Sequence, residues 1–138
     1  MIKNLFSQIG HVYIPTTNID QACKWYKEIL GLQLMNQFID RGSMIAIMKT
    51  PAVKTSAIIL IETNNNHPLL INRNESPFPV FSLYCPDIAF THQQLHKQGV
   101  TVTPIEVLGN DEAKHFYFYD CDGNYLEAAW SIWDPVID

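Results

Sequence analysis

Two carboxylates stand where strongly apolar stretches of this chain end or are interrupted. Glu62 closes Ser56-Ala57-Ile58-Ile59-Leu60-Ile61, and Glu127 sits inside Tyr125-Leu126-Glu127-Ala128-Ala129-Trp130. A carboxylate among Leu, Ala and Trp is costly to bury as a charge unless a cationic group meets it, so Glu127 in particular calls for a partner. His11 opens an alternating stretch, where an imidazole serves either as a ligand or as a strand-start histidine satisfied by the backbone. Further on, His115, Tyr117 and Tyr119 alternate with Phe116 and Phe118. The phenylalanines suit a core beneath a helix, which leaves the histidine and both tyrosines on the opposite, cavity-facing side for a binding role. His92 and His96 have the i, i+4 spacing of a metal clamp. Gln93 stands where a metalloprotease motif has Glu, and an exposed helix face explains the pair as well.

The elements that position these residues are written twice. Residues 9–15 alternate as a strand, Asn18 caps a helix with Gln21 three residues on, and Gly31 ends it. Strands at about 33–40, 43–49 and 55–63 complete a βαβββ unit. In the second half, a strand at 79–85 leads to a helix capped by Asp87 and closed by Gly99. Strands at about 101–107, 114–119 and 125–130 follow, the last after an Asp-Gly turn. The stretch from Asn64 to Pro79 is polar, Asn-rich and broken by prolines, and reads as a linker.

Superposing the helix caps places Asn18 on Asp87 and His11 on Val80. Alternation then sets Tyr13 opposite Ser82 and Pro15 opposite Tyr84 on one face, the face expected to look into the seam between two paired modules. The expected fold is α+β: two tandem βαβββ modules whose curved mixed sheets surround a cavity. The 138 residues suit a single domain, with a first module at 8–63, a connection at 64–78, a second module at 79–131 and a tail at 132–138.

Composition narrows the function classes. With 47% hydrophobic and 17% charged residues the composition is that expected of a soluble globular protein, not a disordered one. Nine basic residues and a net charge of −5 give no Lys/Arg footprint for nucleic acid. No apolar run reaches bilayer length and no secretory leader is recognisable, so a cytoplasmic location without a membrane partner is expected. Cys23, Cys85 and Cys121 are scattered and odd in number, and read as reduced thiols.

His11, the helix from Asp20 to Leu30 with Trp25-Tyr26 ahead of Leu30-Gly31-Leu32, and Asp120-Cys121-Asp122-Gly123-Asn124-Tyr125-Leu126-Glu127 together resemble the vicinal oxygen chelate superfamily. This is the glyoxalase, bleomycin-resistance and extradiol-dioxygenase group, and the likeness covers nearly the whole chain. In its metal-binding members each module supplies one residue from its first strand and one from its fourth. Those positions carry over to His11, Glu62, Val80 and Glu127, three of which can bind a metal.

The resemblance thus implies a divalent ion (Mn, Fe, Co, Ni, Mg or Zn) held by His11, Glu62 and Glu127, with no organic cofactor. Such an ion chelates two neighbouring substrate oxygens and stabilises an enediolate, with Glu127 as the catalytic base. Tyr13, Ser82, Tyr84, His115, Tyr117 and Tyr119 are the expected substrate-binding residues, and His115 is placed to supply what Val80 does not. The partners implied are a small-molecule ligand and a second copy in a homodimer.

Two functions follow. One is a metal-dependent lyase or isomerase acting on a small oxygenated metabolite. The other is a metal-free protein that sequesters a small molecule, such as an antibiotic, in an aromatic groove furnished by Tyr13, Tyr84, Tyr117, Tyr119 and Trp130. The enzyme is the reading expected and the binding protein the alternative, because Glu127 in its apolar strand is poorly explained without a cation, while Val80 opposite His11 keeps the two close.

Overall fold

The computed structural model describes residues 3–52, 55–64 and 67–134. It comprises two compact units, Met1–Thr63 and Asn64–Asp138.

The first unit runs β1 (His11–Thr16), α1 (Ile19–Glu28), β2 (Gln33–Asp40), β3 (Ser43–Lys49) and β4 (Ala57–Glu62). Its sheet has the order β1-β4-β3-β2, with β1 parallel to β4 and the other pairs antiparallel. Local chemistry sets the helix ends. The Asn18 side chain accepts the Gln21 N–H at 3.1 Å, satisfying an amide that has no partner within the helix. Gly31 follows the last turn at φ +75°, which a side chain would resist. Alternation in the strands then sorts the two faces. Ile14, Ala46, Met48 and Leu60 are fully buried beneath α1 with Tyr26 of the helix, the Ile, Met and Leu side chains each contributing roughly 1.5–3 kcal/mol of burial.

The second unit opens with a hairpin of β5 (Ile71–Arg73) and β6 (Ser76–Phe78). It continues β7 (Ser82–Tyr84), α2 (Ile88–Lys97), β8 (Glu106–Leu108), β9 (Ala113–Tyr119) and β10 (Tyr125–Ser131). The sheet order β7-β10-β9-β8, with β7 parallel to β10, repeats the first sheet. Asp87 caps α2 by accepting the Phe90 N–H at 3.0 Å. Phe116, Phe118, Leu126 and Ala128 are buried on the helix side, where His92 of α2 meets the Phe116 ring edge-on at 4.9 Å. The protein is therefore α+β, two βαβββ repeats with mixed sheets.

Three segments differ from the sequence-based expectation. The connection carries the β5–β6 hairpin, turned by Asn74 and Glu75 at positive φ. The strand expected at 79–85 is regular only over Ser82–Tyr84, because Pro79 and Pro86 bracket it and proline cannot donate to a ladder. Residues 101–105 hold only a single bridge, Val102 to Phe118, before β8 begins. Of the expected tail, residues 135–138 lie outside the described residues.

Candidate functional site

Pairing register decides which candidate side chains share a face. In the first unit His11 pairs with Ala57, Tyr13 with Ile59 and Thr16 with Glu62. His11, Tyr13, Pro15, Ile59 and Ile61 therefore lie on the face away from α1. Glu62 lies on the other face, three residues from Ile59 and so opposite in parity. There its Oε2 accepts the Ile19 N–H at 3.0 Å, closing the first turn of α1. The structure does not bring His11 and Glu62 together, and the expected ligand is a helix cap instead. His11 itself is hydrogen-bonded from Nε2 to the Tyr13 hydroxyl at 2.9 Å, the two rings edge to face.

In the second unit Ser82 pairs with Glu127 and Glu127 with Tyr117. The repeat position of Glu127 in the first unit is thus Ile59, the residue that pairs with Tyr13. The four repeat-related positions are His11, Ile59, Val80 and Glu127, and only two carry a donor atom. Among the described residues no three His, Cys, Asp or Glu side chains are grouped to hold a metal ion. A chelating site needs three or more protein donors, so this donor set does not fit the divalent ion that the resemblance implies.

What the second unit does assemble is an aromatic face. Tyr117, Tyr119, His115, Tyr125, Glu127 and Ala129 share the side of the sheet away from α2, with Ser82 and Tyr84 on β7 beside them. His115 stacks on Tyr117 at 5.3 Å and 28°. Tyr117 meets Tyr125 at 5.4 Å, and Tyr125 meets Tyr119 at 4.6 Å. Phe78, at the end of β6, sets its ring against Tyr117 at 5.8 Å, with the Arg73 guanidinium 4.7 Å above the Phe78 centroid. Offset and edge-on pairs of this kind hold one another in place, so the face is built in advance of any ligand.

Charges on this face are few, and only some are engaged. His115 Nε2 lies 3.0 Å from Glu106 Oε2, with the imidazole largely covered and the carboxylate open to water. Glu127 has no hydrogen-bond or ion-pair partner among the described residues. Burial pushes its carboxyl above the usual range, an effect that the charge of His115 partly offsets. Burial also raises the Tyr117 phenol, aided by Glu127 and Glu106 and opposed by Arg73, so its hydroxyl stays protonated.

Three expected features lie outside this face. Asp120 Oδ1 accepts the Asp122 and Asn124 N–H groups at 2.8 and 2.9 Å, and Oδ2 accepts from Asn124 Nδ2 at 2.8 Å. Asn124 Oδ1 in turn accepts the Leu69 N–H at 2.7 Å. The Asp-x-Asp-Gly-Asn segment is therefore a turn, buried at Asp120 and Asn124, that straps the connection to β10. Trp130 lies on the helix side, lining a cavity of about 440 Å³ with Ile88, Val107 and Lys114, and takes no part in the aromatic face. His92 is engaged with the Thr103 carbonyl at 2.9 Å and with Phe116, so the His92/His96 clamp is not formed from it. Phe78 and Arg73 were not anticipated; the one aromatic residue within the polar connection was the available signal.

The sequence model of the Glyoxalase/Bleomycin resistance protein/Dioxygenase superfamily matches residues 8–128. The chain belongs to this superfamily. No curated protein matches its sequence. Solved structures of glyoxalase-superfamily proteins share the fold over nearly their whole lengths. A glyoxylase/bleomycin resistance protein/dioxygenase domain from Frankia sp. EAN1pec is 22% identical, covers 91% of this chain and 98% of its own, and has a TM-score of 0.73. An antibiotic-binding protein from Streptomyces sp. CB03234 is 16% identical over 94% and 99%, with a TM-score of 0.74. A genomically encoded fosfomycin resistance protein from Listeria monocytogenes is 13% identical over 91% and 93%, with a TM-score of 0.68. At these identities the likeness is one of fold, and what this superfamily member does rests on its own residues. Among the described residues no helix is long and apolar enough to cross a membrane.

Proposed function

We propose that this glyoxalase-superfamily protein is a small-molecule-binding protein that takes a ring-containing ligand without a metal, on the face of the second module's sheet. The observation that carries this reading is the connected set of rings Phe78, Tyr117, His115, Tyr125 and Tyr119 on that one face. Ligand sites are rich in such rings with a few placed polar groups, and Ser82, Tyr84 and Glu127 supply those groups. That one structural neighbour is an antibiotic-binding protein agrees with it.

The lyase or isomerase reading keeps one observation in its favour, the partnerless Glu127. Its donor set is short, since Ile59 and Val80 stand at two repeat positions and Glu62 caps α1. Thermal-shift measurements separate the two readings, because a ligand that binds the folded state raises its stability by mass action. A neutral naphthyl alcohol should raise the melting temperature of the wild type and not of Tyr117→Ala. Mn, Co, Ni, Zn and Mg should shift wild type and Glu127→Gln alike. An ion that stabilises wild type well beyond Glu127→Gln would sink the metal-free reading.

The same proposal includes a cytoplasmic homodimer. The edge strand β2 exposes Leu34, Met35, Phe38 and Ile39, apolar surface that a second copy would cover. Sedimentation showing only monomer at micromolar concentration would remove the dimer.

A further inference from the structure

The register of the second sheet places a furrow across its aromatic face. One row across the strands reads Tyr84 on β7, Ala129 on β10, His115 on β9 and Glu106 on β8. The next row reads Ser82, Glu127 and Tyr117. Ala129 is the smallest side chain in its row, which leaves a low floor between Tyr84 and His115. They are two strand spacings apart, about 10 Å. A flat ring needs two van der Waals contacts of about 3.5 Å each, one to either side. The spacing therefore leaves room for one ring over Ala129.

The floor ends in a carboxylate. Glu127 is two residues from Ala129 on the same strand face, half-buried and without a hydrogen-bond partner among the described residues. The other two charged groups near this row are already matched: Glu106 faces His115 at 3.0 Å, and Arg73 lies over Phe78. What the furrow lacks is a donor for Glu127. A half-buried carboxylate with no protein donor is open to a ligand's N–H, and a charged donor makes a stronger bond with it than a neutral one.

Resting on the small-molecule-binding reading, we propose that the ligand is a flat aromatic organic cation. Its ring enters between Tyr84 and His115 over Ala129, and its protonated amine or equivalent N–H group docks on Glu127. The net charge of −5 favours a cationic ligand at long range as well.

Calorimetric titration with three probes of one ring system tests this: naphthylmethylamine, naphthylmethanol and naphthoate. Wild type should bind the amine about tenfold more tightly than the carboxylate. Glu127→Gln should weaken the amine about tenfold and leave the alcohol within about twofold. Ala129→Leu, which fills the floor without changing charge, should weaken all three. Near-UV circular dichroism of each variant confirms that the fold persists. Equal affinity for amine and carboxylate in wild type, or a preference that survives Glu127→Gln, overturns the cation proposal while leaving ring binding intact. No binding of any probe to wild type, or binding unaltered by both Ala129→Leu and Tyr117→Ala, overturns the underlying reading itself.

Discussion

The Glu62 carboxylate accepts the backbone N–H of Ile19 at 3.0 Å across 43 residues of sequence. It thereby ties the end of β4 to the first turn of α1, where the partial positive charge of the helix favours an anion. The second module ends differently. Ile59 and Glu127 occupy matching positions, so three residues on Glu62 matches Trp130, and the start of α2 borders a cavity lined by that indole. The first repeat thus adds a carboxylate from β4 to the Asn18 cap of α1, whereas α2 is capped by Asp87 alone among these positions.

Glu62→Ala should therefore lower folding stability by about 1 kcal/mol, and Glu62→Gln, which keeps an acceptor, by less. Urea unfolding measures both. Neither should change the response to naphthyl probes or to divalent ions, because Glu62 is on the helix side of its sheet. A metal-dependent thermal shift lost in Glu62→Ala would return this residue to the site.

How legible such a role is depends on the range of the interaction that sets it. The caps Asn18 and Asp87 and the closing residues Gly31 and Gly99 could be read from the sequence because each acts within a few residues of itself. Alternation likewise separates His115, Tyr117 and Tyr119 from Phe116 and Phe118. The face of Glu62 could not be read in that way. It depends on Tyr13 pairing with Ile59, a contact 46 residues away by their numbers, and a shift of three residues along a strand reverses the side. The β5–β6 hairpin escaped for a related reason: strands of three residues carry too little periodicity to register.

Asn124 should be among the most sensitive positions in the second module. It is 1% exposed, and its side chain bridges Asp120 and the Leu69 N–H. Asn124→Ala would leave a buried carboxylate oxygen and a backbone amide without these partners, at about 1–3 kcal/mol each. Chemical denaturation should show a loss of several kcal/mol, and limited proteolysis should cut faster between Pro68 and Phe78 as the strap is released. An Asn124→Ala protein as stable as wild type would show that the turn is dispensable.

The three thiols should be slow to react. Burial raises Cys23 and Cys85, and Cys121 is pushed up to about 12 by burial and by the flanking Asp120 and Asp122 carboxylates. At pH 8 Cys121 would be almost wholly thiol, and the thiolate is the form that attacks a disulfide reagent. Labelling should be far slower than for free cysteine and, for Cys121, rise about tenfold per pH unit through the alkaline range without levelling off. A fast-labelling Cys121 at neutral pH would contradict the electrostatic environment drawn for the Asp120 turn.

Glu127 gives the molecule a pH dependence whose sign is fixed by its burial. Its carboxyl is raised in the fold from an ordinary value of 4.5, so between those two values the folded state holds more protons than the unfolded chain. Stability then falls as pH climbs from the ordinary value through the raised one, and the loss is complete above it. Glu127→Gln removes the titration. Its melting temperature relative to wild type should rise across that window and be flat on either side, measured from about pH 4 to about pH 8. Adding naphthylmethylammonium should lower the Glu127 carboxyl and shrink the difference between the two proteins, because the bound cation stabilises the charged form. His115→Gln should widen the window, since the imidazole charge is what holds the carboxyl down. A difference between wild type and Glu127→Gln that does not vary with pH would mean that Glu127 is solvated like any surface carboxylate, and would take away the partnerless charge on which cation recognition depends.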